Sequence, residues 1–257
     1  MNATTDKFGS SQFEHKTEHP QLQDEVNWQT LFRVGRIAAL MVVILIVAEV
    51  IAWMIYPQPD NIEEWFVLFQ SNPLIGLVDF WGLELPMYVM FALVFLALYV
   101  VLVKTNPSVI TIALVCILIG TAILISTNNP FTMLNLSNRY AITTTESEQS
   151  MLLAAGEMIL VNTNQRAVGG FNAGLFLVSV AGLLVSLVML ETPIFNRTIA
   201  YTGIAAYSLS LVDYLRQMMT QSEIIALSII LPNAILLIIW FFFVSRSLNQ
   251  LATDADS

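Results

Sequence analysis

Two acidic residues lie inside long apolar runs of this 257-residue sequence, where an ionisable side chain is costly. Glu49 stands between Ala48 and Val50, and Asp213 is followed three residues later by Arg216, on the same face of a predicted helix. A charged side chain near the middle of a membrane costs about 2.5 to 3.5 kcal/mol on insertion scales. We therefore expect each group to be protonated, paired or in contact with water, which makes it a candidate for a functional site.

These residues and two further acids could form one site. Glu84 and Glu157 fall in the same half of the protein as Glu49 if the chain crosses a membrane as described below. The fifth apolar run also carries a stripe of small and polar residues at helical spacing, namely Ala206, Ser210, Asp213 and Gln217. We predict an outward-opening polar pocket lined by Glu49, Asp213 and Arg216, with Glu84 and Glu157 as further candidates.

Structural roles remain open for the same residues. Asp213 with Arg216 is also the pattern of an ion pair that allows two charges to enter the membrane together. Glu49 could equally bond a serine or a backbone group of a neighbouring helix. Glu84 is predicted in the first turn of a helix, where free N–H groups and the helix dipole favour a carboxylate as a cap.

Standard enzyme and metal signatures are absent from the sequence. It has no His-Glu-x-x-His motif, no glycine-rich phosphate loop followed by Lys-Ser/Thr, and no Gly-x-Ser-x-Gly elbow. His15 and His19 lie in a polar stretch without a convincing set of further metal ligands, and the single cysteine, Cys116, lies in an apolar run. We predict no metal and no cofactor. The lack of a basic patch with interleaved aromatics argues against nucleic-acid binding.

The composition predicts that helices crossing a membrane position these residues. The chain is 56% hydrophobic and only 11% charged, whereas soluble domains have about 25% charged residues. A helix of about 20 apolar residues crosses a hydrocarbon core of about 30 Å. The predicted fold is all-α, a polytopic transmembrane helical bundle with six spans at about 34–56, 83–103, 108–126, 171–190, 198–219 and 224–244.

The remaining segments are polar or mixed. We predict a cytoplasmic polar tail over 1–29, a membrane domain over 30–247 and a second cytoplasmic tail over 248–257. The long outer loop, 127–170, is predicted to contain an amphipathic helix near 146–162. The segment from Asp60 to Phe80 mixes aromatics with carboxylates, which is typical of a segment at the level of the lipid headgroups.

Basic residues predict the orientation of the spans. If six spans alternate, five basic residues next to their ends fall on one side, namely Arg33, Arg36, Lys104, Arg197 and Arg246. The opposite side has an acidic first loop without a base. Because cytoplasmic loops are enriched in lysine and arginine, both termini are expected in the cytoplasm. The polar beginning of the chain does not resemble a cleavable signal peptide, so the first apolar run is expected to remain as a span.

Several short motifs resemble those of a known family. They include Asn128-Asn129-Pro130, Tyr140, Ala154-Ala155-Gly156-Glu157, and the run from Gly182 to Leu190 followed by Phe195 and Gly203. Over roughly Arg36 to Val244 the chain resembles the prokaryotic multi-pass membrane proteins grouped as domain of unknown function 4386. The resemblance implies a helical bundle in a prokaryotic cytoplasmic membrane. It supplies no catalytic residues.

Two classes of function, and a third without a ligand, follow from these patterns. The first is a non-catalytic protein of the cell membrane that binds or transports a small or amphipathic solute in the outward-facing pocket. The second is an intramembrane enzyme that uses carboxylates on a lipid, and the third is a structural or accessory subunit. The expected partners are the lipid bilayer and a small-molecule or lipid ligand, and no feature of the sequence indicates the oligomeric state.

Overall fold

The computed structural model describes residues 28–56, 58–162, 173–219 and 223–254. Within these ranges the chain is helical and has no strand, which confirms the all-α prediction. The helices are α1 (Gln29–Ile55), α2 (Ile62–Ser71), α3 (Pro73–Leu77), α4 (Glu84–Leu102), α5 (Pro107–Thr127), α6 (Pro130–Ile142), α7 (Glu146–Asn162), α8 (Ala173–Met189), α9 (Arg197–Met219) and α10 (Glu223–Asp254). A π-helical turn, Val78–Gly82, joins α3 to α4 and is called the π turn below.

Asn-Pro pairs start three of these helices. They are Asn72-Pro73 for α3, Asn106-Pro107 for α5 and Asn129-Pro130 for α6. In each pair the asparagine side chain accepts a hydrogen bond from a backbone N–H of the first turn. The proline occupies the first helical position, where its missing N–H would have no partner in any case. These short motifs fix where one helix ends and the next begins.

Six helices pack side by side in a closed ring, called the bundle below. Around the ring, α1 contacts α4, α4 contacts α5, α5 contacts α8, α8 contacts α9, α9 contacts α10, and α10 returns to α1. Gly120 of α5 and Gly174 of α8 allow two backbones to approach closely, since a Cβ added to either would come within 2.8 to 2.9 Å of the other's carbonyl oxygen. Trp240 and Phe241 of α10 are fully buried in the shared core.

Several helices have the length and composition of membrane spans. In the part of the chain that the structure describes, four helical stretches qualify, namely Gln29–Ile55, Pro73–Leu102, Pro107–Ile142 and Ile225–Thr253. Helix α8 is apolar but has 17 residues, and α9 has 23 residues but is more polar. The apolar helices identify a membrane protein.

The other helices form a second unit, called the cap below, made of α2, α3, the π turn, α6 and α7. The cap follows the end of α1, precedes the start of α4 and follows the end of α5, so it lies at one end of the bundle. Its core is a cluster of large side chains, with Trp65, Phe66 and Phe69 of α2 packed near Phe80 of the π turn and Met133 of α6. Gly156 lets α7 approach α2, since a Cβ there would meet Ile62 at 2.5 Å.

The cap matches the sequence-based expectation in part. Helix α7 has the limits of the helix predicted near 146–162 in the outer loop, 127–170, whereas α6 is an additional helix, because Asn129-Pro130 starts it directly after α5. The aromatic side chains of 60–80 point into the cap core rather than forming a strip of interfacial anchors. Residues 1–27 of the predicted tail and 163–170 of the loop lie outside the described residues.

The bundle helices match the predicted spans closely at most ends. As helices, α4, α5 and α9 begin and end within one residue of the predicted limits. Helix α10 continues to Asp254, beyond both the predicted span end and the start of the predicted tail at 248. Leu248 and Ala252 explain the extension, because both are buried and Leu248 lies against Gly35 of α1.

Candidate functional site

Glu49 and Glu84 come together in the bundle and are called the acid pair below. Glu49 lies six residues before the end of α1, a depth of about 9 Å at about 1.5 Å per residue. Glu84 is the first residue of α4, which packs against α1, and it is buried. The two carboxyl groups lie within hydrogen-bonding reach of each other. Since a carboxylate can only accept a hydrogen bond, a bond between them requires a proton on one of the two.

A short chain of neutral hydrogen bonds continues from the acid pair. Tyr88 lies one helical turn after Glu84, and its hydroxyl donates to Glu84 Oε2 at 3.1 Å. The side-chain amide of Asn128 in turn donates to the Tyr88 hydroxyl at 3.1 Å. Tyr88 and Asn128 are fully buried. The chain therefore connects α1, α4 and the junction of α5 with α6, and neither neutral partner supplies a positive charge to the pair.

Asp213 and Arg216 form an ion pair within α9. Arg216 Nε donates to Asp213 Oδ1 at 2.6 Å, and the two side chains are only 11% and 12% exposed. The spacing of three residues places both groups on one face of the helix, as the sequence predicts. The pair neutralises itself locally, which is the arrangement expected when two charges enter an apolar environment together.

The ion pair lies on a face of α9 that packs inside the bundle, where Asp213 and Tyr214 are both buried. One turn before Asp213, Ser210 accepts a hydrogen bond from the amide of Asn233 at 2.9 Å, which ties α9 to α10. The polar stripe predicted on the fifth span therefore faces protein, at Ala206, Ser210 and Asp213.

Glu84 and Glu157 have different surroundings from each other. Glu84 was open to interpretation as a helix cap, but its carboxyl contacts Glu49 and Tyr88 instead. Glu157 lies on α7, which packs against α2 and α6 in the cap. The structure thus brings Glu49 and Glu84 together, places Asp213 and Arg216 as a separate pair on α9, and puts Glu157 in the cap.

Sequence reasoning missed four residues of this region. Tyr88 could have been found from its spacing of four from Glu84, which puts the two on one helix face. Asn128 stands in the Asn-Asn-Pro motif, but that motif gave no hint of a partner on α4. Tyr214 looked like an ordinary aromatic next to Asp213. Asp79 was assigned to a surface segment, yet it is only 3% exposed.

The arrangement can hold and release protons in an apolar interior. With one shared proton the acid pair keeps one negative charge, which a second proton or a cationic group would compensate. Two carboxyls in contact could also act as an acid and a base. Among the described residues, no group of three or more His, Cys, Asp or Glu side chains is placed to hold a metal ion.

A cavity lies next to the start of α4. It has a volume of about 140 Å³, and it is lined by apolar residues of the π turn, α4 and α6, including Leu83 and Leu85 on either side of Glu84. Pro130 and Phe131 close it from α6.

Comparison with known proteins gives a family and no closer relative. A family model described as a domain of unknown function (DUF4386) matches residues 37–244, which confirms the resemblance seen in the sequence. Neither the curated proteins nor the solved structures contain a match.

Proposed function

We propose that this chain, which belongs to the DUF4386 family, is a six-span protein of the cytoplasmic membrane that binds or transports a small or amphipathic solute. The solute site is the polar interior near the cap, and the acid pair carries the proton or the charge that responds to the solute. The observation that carries this proposal is the close approach of Glu49 and Glu84, two acids from the packed helices α1 and α4, inside the bundle.

Six spans are supported by the position and surface of α8 and α9. Both helices complete the ring between α5 and α10, so they run alongside helices that are long and apolar enough to cross. Helix α9 exposes Val212 and Leu215 and buries Asp213. Exposed apolar side chains with an internal charge are expected of a helix that faces lipid. At about 1.5 Å per residue, α8 covers about 26 Å, close to the hydrocarbon thickness of about 30 Å.

The distribution of bases supports an outward-facing cap. Arg33, Arg36, Lys104, Arg197 and Arg246 lie near helix ends on the side opposite the cap. By the positive-inside rule that side is cytoplasmic, so both termini are inside and the cap is outside. The acid pair, about 9 Å below the capped end of α1, would then exchange protons with the outer solution.

A cationic solute is favoured by the charges around the site. The charge of Asp213 is already neutralised by Arg216. The acid pair contacts Tyr88, which is neutral and does not compensate a negative charge. Binding of a cation can compensate the remaining negative charge, and release of a proton from the pair would increase the attraction. This coupling predicts exchange of a cation for a proton.

The test uses ethidium, a cationic and amphipathic dye, with purified protein in lipid vesicles and an imposed pH gradient. Ethidium should cross faster than in protein-free vesicles, and Glu49→Gln and Glu84→Gln should each remove the difference. Glu64→Gln is the matched control, because Glu64 is an exposed acid of the cap. Equal ethidium movement in the wild type and both bundle variants, or no movement above the protein-free rate, would contradict the proposal.

A second candidate function is acid–base catalysis on a lipid. It is favoured by the contact of two carboxyl groups and by the apolar cavity beside Glu84. This function predicts a changed lipid product when the protein is incubated with membrane lipids, lost in Glu49→Gln, with no effect of the pH gradient. Mass spectrometry of the extracted lipids distinguishes it from solute exchange.

A further inference from the structure

The π turn is a strained connection between the cap and the bundle. Phe80 and Trp81 have non-helical backbone angles, and Trp81 is in the left-handed region at φ 60°, ψ 14°. A bulky residue rarely adopts this conformation, and such strain concentrates where a structure switches. Gly82 completes the tight turn, because a Cβ there would collide with the Leu77 carbonyl oxygen.

Two buried polar groups of the π turn lack hydrogen-bond partners among the described residues. Both carboxyl oxygens of Asp79 are buried without a partner, and so is the indole nitrogen Nε1 of Trp81. More than nine tenths of the buried polar groups in proteins have a hydrogen-bond partner, so two unsatisfied side chains only two positions apart in one turn require an explanation. An ionised carboxylate in this position would be far more costly than a neutral carboxyl group.

Among the described residues, no neighbouring element supplies the missing partner. The helices packed around the turn are α1, α2, α3, α4 and α6. Helix α3 has no titratable residue, and those of the other four helices are Arg33, Arg36, Glu49, Glu63, Glu64, Glu84, Tyr88, Tyr99, Arg139 and Tyr140. None of them hydrogen-bonds Asp79. Arg139 is more than half exposed and pairs with Glu148 of α7.

The π turn also connects the two functional parts of the molecule. Phe80 packs edge-on against Trp65 with ring centroids 5.0 Å apart, and against Phe69 at 6.1 Å, in the cap core. Only Gly82 and Leu83 separate Trp81 from Glu84, the α4 member of the acid pair. A movement of this turn would therefore displace the cap core relative to the start of α4.

We propose that Asp79 is a proton-binding latch that holds the cap against the bundle. With its carboxyl protonated, the side chain stays buried and the strained turn is retained. When the O–H bond breaks and the proton passes to water, the carboxylate moves toward solvent, the turn relaxes and the cap separates from the start of α4. The latch is a second proton site, distinct from the acid pair, and it does not depend on the proposed transport.

The test measures the distance between the cap and the bundle as a function of pH. Spin labels are placed at Val67→Cys in α2 and Val89→Cys in α4, which are both exposed, in a Cys116→Ala background in lipid nanodiscs. At mildly acidic pH one distance should dominate, and at mildly alkaline pH a second, longer distance should appear. Asp79→Asn, which cannot ionise, should keep the short distance at every pH.

Two controls separate the latch from other titrating groups. Asp60→Asn removes an exposed carboxylate beside α2 and should leave the wild-type response unchanged. The double variant Glu49→Gln/Glu84→Gln should also keep the response, so failure of the transport proposal would not affect this result. A single distance at all pH values in the wild type, or the same pH response in Asp79→Asn, would overturn the latch.

A second variant keeps the proposal testable if Asp79→Asn does not fold. Asp79→Leu replaces the unsatisfied carboxyl with an apolar group of similar size, which is expected to keep the short distance and to raise the unfolding temperature at alkaline pH. Failure of this variant to fold, or a lower unfolding temperature than the wild type, would also refute the latch, because it would mean that the carboxyl is stabilised where it lies.

Discussion

Among the described residues, an arginine–carboxylate pair of the bundle and one of the cap differ in their surroundings. In the bundle, Arg216 and Asp213 are 2.6 Å apart and 11% and 12% exposed. In the cap, Arg139 and Glu148 are 3.8 Å apart and 54% and 44% exposed. The same two residue types thus form a buried ion pair in the bundle, where each charge needs the other, and a weak surface contact in the cap. The comparison teaches that the environment, rather than the residue types, decides what a charge contributes.

The largest effect is expected on breaking the bundle pair. Arg216→Gln leaves Asp213 buried without its counterion, which should lower the free energy of unfolding by about 3 to 5 kcal/mol. Unfolding in detergent micelles measures the change. The double variant Asp213→Asn/Arg216→Gln removes both charges and should be distinctly more stable than the single variant. If the single and double variants are equally stable, Asp213 does not depend on the charge of Arg216.

The next effect contrasts the packing of the two units. In the bundle, a Cβ on Gly182 would fall on the rigid ring of Tyr207, so Gly182→Ala should cost about 1 to 3 kcal/mol by overpacking. In the cap, a Cβ on Gly156 would meet chiefly the flexible end of Ile62, with the ring of Phe66 further away at 3.0 Å. Gly156→Ala should therefore cost less, helped by the higher helix propensity of alanine. The comparison would be reversed if thermal unfolding showed Gly156→Ala to be the more damaging change.

A smaller effect is expected on removing the helix cap of α2, and it tests whether this hydrogen bond stabilises the cap unit more than the pair of Arg139 with Glu148 does. Asn61 caps α2 by accepting from the Glu64 backbone N–H at 2.8 Å. Asn61→Ala should lower stability by about 1 kcal/mol, the usual cost of losing such a cap. Calorimetry can measure the loss, and Asn61→Asp, which keeps the acceptor, should retain most of the stability.

The smallest effect is expected for the cap pair. Arg139→Gln should change the free energy of unfolding by about 0 to 1 kcal/mol, because exposed ion pairs contribute little. The same measurement as for Arg216→Gln gives a direct ratio between the two pairs. A loss as large as that of Arg216→Gln would show that the cap pair is shielded from solvent, for instance in an assembly of several chains.

The helices of the bundle could be predicted closely, because long apolar runs and Asn-Pro breaks are local signals. The limits of α4, α5 and α9 follow from these signals alone. The cap was harder to predict. Its aromatic residues suit either a membrane interface or a small core, and only contacts between α2, α6 and α7, which are distant in sequence, distinguish the two.

The candidate site, too, could be predicted from the sequence only in part. The ion pair of Asp213 with Arg216 was predictable, since a spacing of three residues within one helix fixes its geometry. The close approach of Glu49 and Glu84 was not, because the residues are on different helices and their relative depth depends on how α1 and α4 pack. Asp79 was missed for a related reason. Its burial results from the fold of the π turn beneath the cap, and nothing in its immediate sequence indicates it.

The sequence by itself determined that this protein is a helical membrane protein, and it located most helix ends and the acids that lie within apolar runs. These features depend on neighbours along the chain, through hydrophobicity, proline and helical periodicity. The tertiary structure decided which acids meet, that the aromatic segments form a cap, and that Asp79 lies buried without a partner. Those features depend on neighbours in space, which are brought together only when six helices close into a ring.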